Sequence, residues 1–364
     1  MSARRMRQSR VCKRQGAGAG ATAFGVGLLV ALACSAPRAA SQTYHVDRTY
    51  HLTGDGGWDL LALDEPHHRL FIAHQDRVIV VDPETGAALG DISGFNRAHG
   101  IAFAYAEGHG FATSGGDSSV VMFDLSTLHV LSRTAAAPDA DGILYDPASR
   151  RIFSFNGDSR SATVIDPVTG QRIGTIDLPG KPEFGVPAGN GKLYVNLEDQ
   201  NAIAEIDAVS TKVMRRWSLA PCEGPTGLAI DRVHRRLFSG CRSGVLAISD
   251  ITAGRVITTL PIGPDVDACR FDSSERLAFA SSGGDSGTIT LVREETPDSF
   301  RVVGTVITRR GARTMELDPR THHLYTVSAG FGPTPTPTPE HPRPRPVIIP
   351  GTFVLLVIVP EAMR

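Results

Sequence analysis

Seven residues separated by about 40–46 positions form a column: Asp59, His99, Asp141, Glu183, Thr226, Asp267 and Arg313. Four carboxylates, an imidazole and a guanidinium at equivalent points of a repeat are more ionisable groups than an ordinary strand column carries. Brought to one place they could hold a divalent ion, with His99, Asp141 and Asp267 as its ligands. They could equally bind a small molecule or a partner's loop. A third reading is a purely structural network in which Arg313 neutralises Asp267 and Asp59. No HxH or HExxH spacing selects a metal, and no Gly-rich phosphate loop, GxSxG elbow or CxxCH haem site occurs. No residue can therefore be named catalytic, and no cofactor is specified beyond a divalent ion. Gly100, Gly142 and Gly227 follow members of the column, where a missing Cβ would let backbone approach a ligand closely.

The elements that must carry this column are clearest over Asp141–Leu178, which contains four short β-type runs: Gly142–Tyr145, Arg151–Phe155, Ser161–Ile165 and Arg172–Ile176. Asp146–Arg150 and Asp166–Gly170 lie between them, both beginning Asp-Pro, and Pro presets the φ of a type I turn. Other segments align beneath this one. A turn Asp follows the first strand at Asp64, Asp146, Asp231, Asp272 and Asp318, and the third strand recurs at Val78–Val81, Val120–Phe123, Ala202–Ile206 and Val245–Ile248. No stretch shows helical periodicity over several turns. A four-stranded unit of this length needs copies stacked beside it, which is the arrangement of propeller blades.

Six copies begin near Trp58, His99, Asp141, Glu183, Thr226 and Asp267. A seventh, from Arg313, has strands at Thr314–Leu317, His323–Ser328 and Thr352–Val359 but lacks a fourth. Thr43–Leu52 is an orphan strand at the other end. Pairing it with Thr352–Val359 closes the ring and protects the edges. The expected fold is all-β: a seven-bladed propeller of four-stranded antiparallel blades, closed by the N-terminal strand. A six-bladed ring with an appendage is the alternative. In the favoured fold the first strand of each blade lines the channel, and the column becomes a ring at one mouth.

Residues 1–41 carry seven basic residues, no acidic ones and an apolar run at Ala21–Ala33, the pattern of an export signal. Cleavage after Ser41 fits; lipidation at Cys34 is the competing reading, and the run is too short for a membrane span. Without these residues the formal net charge moves from −1 to about −8. That charge argues against nucleic-acid binding, which draws on clustered Lys and Arg. Residues 42–364 then form one domain, expected to be monomeric. Export places Cys222 and Cys241 in an oxidising compartment, at strand ends that meet, so they are expected to form a disulfide. Cys269 holds an apolar first-strand position and is expected to be buried and inert. His67, His68, His322 and His323 fall in turns on the opposite face and read as solvated. Gly330–Pro350 is a Pro-rich, extended insert that is not expected to join a ladder, and it either arches over the channel mouth or simply lies in solvent.

The second-strand run Leu193–Asn196 (LYVN), with degenerate versions at Phe153–Asn156 and Leu324–Val327, resembles the repeat of the YVTN-type, or YncE-like, β-propeller proteins. The turn Asp166–Gly170 with Ile173–Ile176, and the run Pro225–Asp231, add to the resemblance, which spans residues 43–360. It implies an exported seven-bladed propeller and no particular reaction. Two functions follow from the residues: a periplasmic or extracellular binding scaffold whose channel face takes a small ligand or a protein partner, or a metal-assisted hydrolase, lactonase or lyase using the carboxylate–His ring.

Overall fold

The computed structural model describes residues 43–285, 287–338, 344 and 346–361. The export signal and the lipidation alternative at Cys34 therefore lie outside the described residues. Seven four-stranded antiparallel sheets form the seven blades. Blade three, the clearest repeat in the sequence, runs Ala140–Asp146, Arg151–Asn156, Ser161–Ile165 and Arg172–Asp177 from the channel outwards.

Local chemistry explains the turns. Asp166 Oδ1 accepts the amides of Val168 and Thr169 at 3.0 and 2.8 Å, and Gly170, at φ +70°, donates its amide to the Asp166 carbonyl at 2.9 Å. Asp82, Asp124, Asp207 and Asp250 hold equivalent turns through the same side-chain oxygen. Second and third strands are buried on both faces, which is why Phe71, Ile72, Val78 and Val80 sit in near-continuous apolar runs. Fourth strands alternate exposed and buried residues, as an outer strand must. The core is divided among the blade interfaces; Phe71, from blade one, stacks on Phe123 of blade two at 5.9 Å between ring centroids.

Ring closure follows the expected pairing. Blade seven comprises Met315–Leu317, Leu324–Ser328, Val354–Pro360 and, outermost, Tyr44–His51. Register runs from Tyr44 opposite Pro360 to His51 opposite Val354. Glu84, in a turn of blade one, secures this terminal blade. Its carboxylate accepts from Tyr325 Oη at 2.7 Å and contacts Arg48 and His323 at 2.8 and 3.0 Å.

Two expectations change. The turn histidines are not simply solvated, because His322 Nδ1 bonds the buried Asp272 at 2.6 Å and His323 reaches Glu84. The base of the Pro-rich insert does pair: Phe331 bridges Ile348, and Gly332 donates to the Val347 carbonyl at 2.8 Å. Its flanking residues are free to donate even though the prolines between are not. Cys222 and Cys241 form the expected disulfide, Cys269 is a buried free thiol, and no helix among the described residues is long and apolar enough to cross a membrane.

Candidate functional site at the channel mouth

A β-bulge interrupts the first strand of five blades, and each bulge falls on a member of the chemical column. The register slips between Ala98 and Ile101, Ala140 and Ile143, Pro182 and Gly185, Pro225 and Leu228, and Val266 and Ala268. These gaps contain His99, Asp141, Glu183, Thr226 and Asp267. A bulge re-aims a side chain that regular pleating would send elsewhere, here into the channel. The glycines next to the bulges serve the neighbouring blade, not a ligand. A Cβ at Gly100 would lie 2.7 Å from the Asp141 carbonyl oxygen, and one at Gly227 would lie 2.6 Å from backbone of Ala268 and Cys269.

Buried second-strand hydroxyls and amides fix the bulges. Thr113 donates to the Asp141 carbonyl at 2.6 Å, and Asn196 donates through Nδ2 to the carbonyls of Thr226 and Gly227, both at 3.0 Å. Asn196 closes the LYVN run, so there the motif ties blade four to blade five. Leaving such buried carbonyls without donors would be expensive, which makes these side chains part of the scaffold of the mouth.

The mouth opens into a cavity of about 870 Å³, within the range of small-molecule sites. All seven column residues line it, together with Trp58, Phe184 and, from the insert, Phe331, Pro346 and Ile348. The partners of six of them fall into three sets, with Asp59 in two, while Glu183 stands apart beside Lys181. Arg313 Nε donates to Asp267 Oδ2 at 2.8 Å, and Nη2 reaches Asp59 Oδ1 at 3.4 Å. His99 Nδ1 donates to Asp59 and lies 3.6 Å from Asp141 Oδ1. Thr226 is only 1% exposed and its hydroxyl is committed to the Val266 carbonyl at 2.6 Å. Asp59, His99 and Asp141 bring ligand atoms within 4.8 Å of one another, whereas Asp267, expected beside His99 and Asp141, is drawn instead to Arg313.

These contacts sort the carboxylates by charge state. Burial raises Asp59, but the His99 hydrogen bond and the Arg313 charge outweigh it and hold Asp59 below its ordinary value. Burial opposes the charge on His99, yet Asp59 and Asp141 raise its affinity for the proton. Asp141 is pushed up to about 7 by burial and by the Asp59 charge. Glu183 is pushed up to about 9 by burial and by Asp141, despite Lys181 at 3.2 Å. Asp267 stays raised because burial outweighs Arg313. The mouth thus holds ionised Asp59 beside carboxyls that keep protons near neutrality, a combination able to accept and donate hydrogen bonds within one cavity.

A second charged column went unread in the sequence: Arg97, Asp139, Lys181 and Asp265 lie two residues ahead of His99, Asp141, Glu183 and Asp267 and also line the cavity. Arg97, Asp139 and Asp265 take left-handed backbone at φ +60°, +60° and +54°, turning the chain into each bulged strand. The same spacing that revealed the first column could have revealed this one.

No family model and no curated protein sequence matches the chain. Among solved structures it is similar to U3-55K and to the RRP9 WD40 repeats, each at 12% identity with a TM-score of 0.69. Each match covers 85% of this chain, and 98% and 97% of the respective relatives. At that identity the likeness establishes the propeller fold and no more.

Proposed function

We propose that the chain is an exported, YVTN-type β-propeller binding protein whose channel mouth captures a small polar ligand, or a partner's loop, through a donor-rich or cationic group. The observation that carries this reading is the uneven pairing of the ring. Asp59 and Asp267 have Arg313, Asp139 has Arg97 at 3.7 Å, and Asp285 has Arg310 at 3.5 Å. Asp141 has only an imidazole whose proton points at Asp59. A cavity with a carboxyl sector short of cations, flanked by Phe184 and Trp58, favours a ligand that brings a positive end and an apolar body. The basic, acid-free residues 1–41 and the Cys222–Cys241 bridge support export to a periplasmic or extracellular setting.

The convergence of Asp59, His99 and Asp141 favours one other reading, a divalent ion at the mouth serving a hydrolase or lyase. Native mass spectrometry of protein purified from the exported fraction, parent against Asp141→Asn, separates the two. A retained organic ligand that Asp141→Asn loses is the expected result. A stoichiometric metal lost by the same variant, with turnover of a lactone, points to the enzyme. A parent that retains neither and binds nothing from a panel of cationic metabolites leaves the ring a structural network and overturns the proposal.

A further inference from the structure

The far end of blade five's first strand carries a second cluster. Asp231 ends the strand Pro225–Asp231, His234 lies in the following turn, and Glu294 comes from Thr288–Thr296 of blade six. His234 Nδ1 is 2.7 Å from Asp231 Oδ2 and 3.0 Å from Glu294 Oε1. The seven residues of the first strand separate this point from the mouth by about 20 Å.

An Asp–His contact alone is ordinary in this fold, since His67 meets Asp64 at 3.0 Å and His322 meets Asp272 at 2.6 Å. The charge balance is what differs. Asp64 also receives Arg69, five residues on, with Nη2 at 2.5 Å. The matching residue after Asp231 is Arg236, which turns away to the Pro297 carbonyl, to Asp298 and towards Asp250. Arg276 acts on Glu294 through space without bonding it.

Glu294 takes the consequence. Its side chain is fully buried, no N–H or O–H group among the described residues donates to either carboxylate oxygen, and the Asp231 carboxyl faces it closely. A single proton on His234 Nδ1 can serve only one of the two carboxylates well, and the shorter contact is to Asp231. An ionised carboxylate in that position is strongly disfavoured unless a cation or a shared proton compensates it.

We propose that Asp231, His234 and Glu294 form a divalent-metal site, of zinc or manganese type, that joins blade five to blade six on the face away from the mouth. Ligand atoms around a tetrahedral ion with bonds of about 2.0–2.1 Å stand about 3.3 Å apart. The observed 2.7 and 3.0 Å need only a few tenths of an ångström of expansion. On binding, His234 takes its Nε2–H tautomer: the Nδ1 proton passes to solvent as Nε2 gains one, and the freed Nδ1 lone pair goes to the ion. His234 is the partly exposed member, so the ion reaches the two buried carboxylates past the imidazole. One imidazole and two carboxylates suit zinc or manganese and not a thiol-seeking ion. A remaining position is left for water, and the role is structural.

Zinc titration of metal-free full-length protein carrying Asp141→Asn, which disables the mouth cluster, tests this independently of the ligand reading. One zinc per chain is expected by native mass spectrometry. At free zinc about 100-fold above the Kd, Tm should rise by about 4 °C. Adding Glu294→Gln should abolish both effects while leaving the metal-free Tm equal or higher, since it removes the unpartnered carboxyl. His234→Gln, at a partly exposed position, should abolish them too and serves if the first variant misfolds. A chain that binds no zinc, or whose zinc response survives both substitutions, overturns the site in favour of a proton shared between Asp231 and Glu294.

Discussion

Arg313 Nε stands 2.8 Å from Asp267 Oδ2, and the same guanidinium donates to the Trp58 carbonyl at 2.7 Å. Lying at the start of blade seven, it joins blades six and one across the point where the ring closes. Arg313→Ala leaves Asp267 without its cation and Asp59 with His99 alone. Because the guanidinium is about a third exposed, the expected loss is about 1–3 kcal/mol at pH 7. Asp59 is depressed in the folded state, so its contribution is present above its unfolded value of about 3.9 and disappears as pH falls through the folded value. The penalty should therefore fade in acid. Urea unfolding at pH 3 and pH 7 checks this, and a variant as stable as the parent at pH 7 removes Arg313 from the balance.

Asp141 and Glu183 give the opposite slope. Both carboxyls are raised, to about 7 and about 9, so the folded chain binds more protons than the unfolded chain above pH 4. Stability is fullest below the unfolded values and should decline by a few kcal/mol, to order of magnitude, between about pH 4 and pH 9. Glu183→Gln should flatten the limb above pH 7, and Asp141→Asn the limb below it. Parallel unfolding series for the three proteins decide it; identical slopes would mean that neither carboxyl carries the linkage.

Much of this site could be read before the fold was known. The first column was visible because a propeller repeats its register, so equal spacing becomes shared position. The closure was visible because a missing fourth strand and an orphan strand are both local facts. Partner choice was only partly visible. The Arg313–Asp267 pair was one reading of the column, but Glu294 meets Asp231 only because adjacent blades pack at a particular offset, which no single repeat encodes. The glycines were misjudged for the same reason: Gly100 looks permissive towards a ligand until the next blade's carbonyl is placed against it.

The Cys222–Cys241 bridge spans 19 residues and should contribute about 3 kcal/mol on the loop-entropy account. Burial pushes the Cys269 thiol up to about 12, leaving it protonated and unreactive while the chain is folded. In oxidised mature protein, thiol titration should find none without denaturant and one with it. Reduction should lower Tm. Three titratable thiols in exported protein would show that the bridge does not form there.

Deleting Tyr44–His51 removes the outer strand of blade seven and exposes the full edge of Val354–Pro360. It also strips Tyr44 from Phe279, with which it packs edge to face at 5.2 Å. The truncated protein should lose stability steeply and self-associate through the opened edge. Calorimetry and size-exclusion chromatography report both effects. A monomer with the parent Tm would show that closure does not depend on this strand.

The two described ends of the chain lie side by side. Glu361 donates its amide to the Thr43 carbonyl at 2.8 Å, and Thr43 Oγ1 donates to the Glu361 carboxylate at 2.5 Å. Both belong to the outer half of blade seven, so a partner fused at either described end is joined at the perimeter of the ring. A surface linker or a fused domain attached there would hold the molecule by its rim, like a coin gripped at the edge. The channel mouth and the opposite face would both stay open to solvent, and a tag at either end should leave ligand access at the mouth unimpaired.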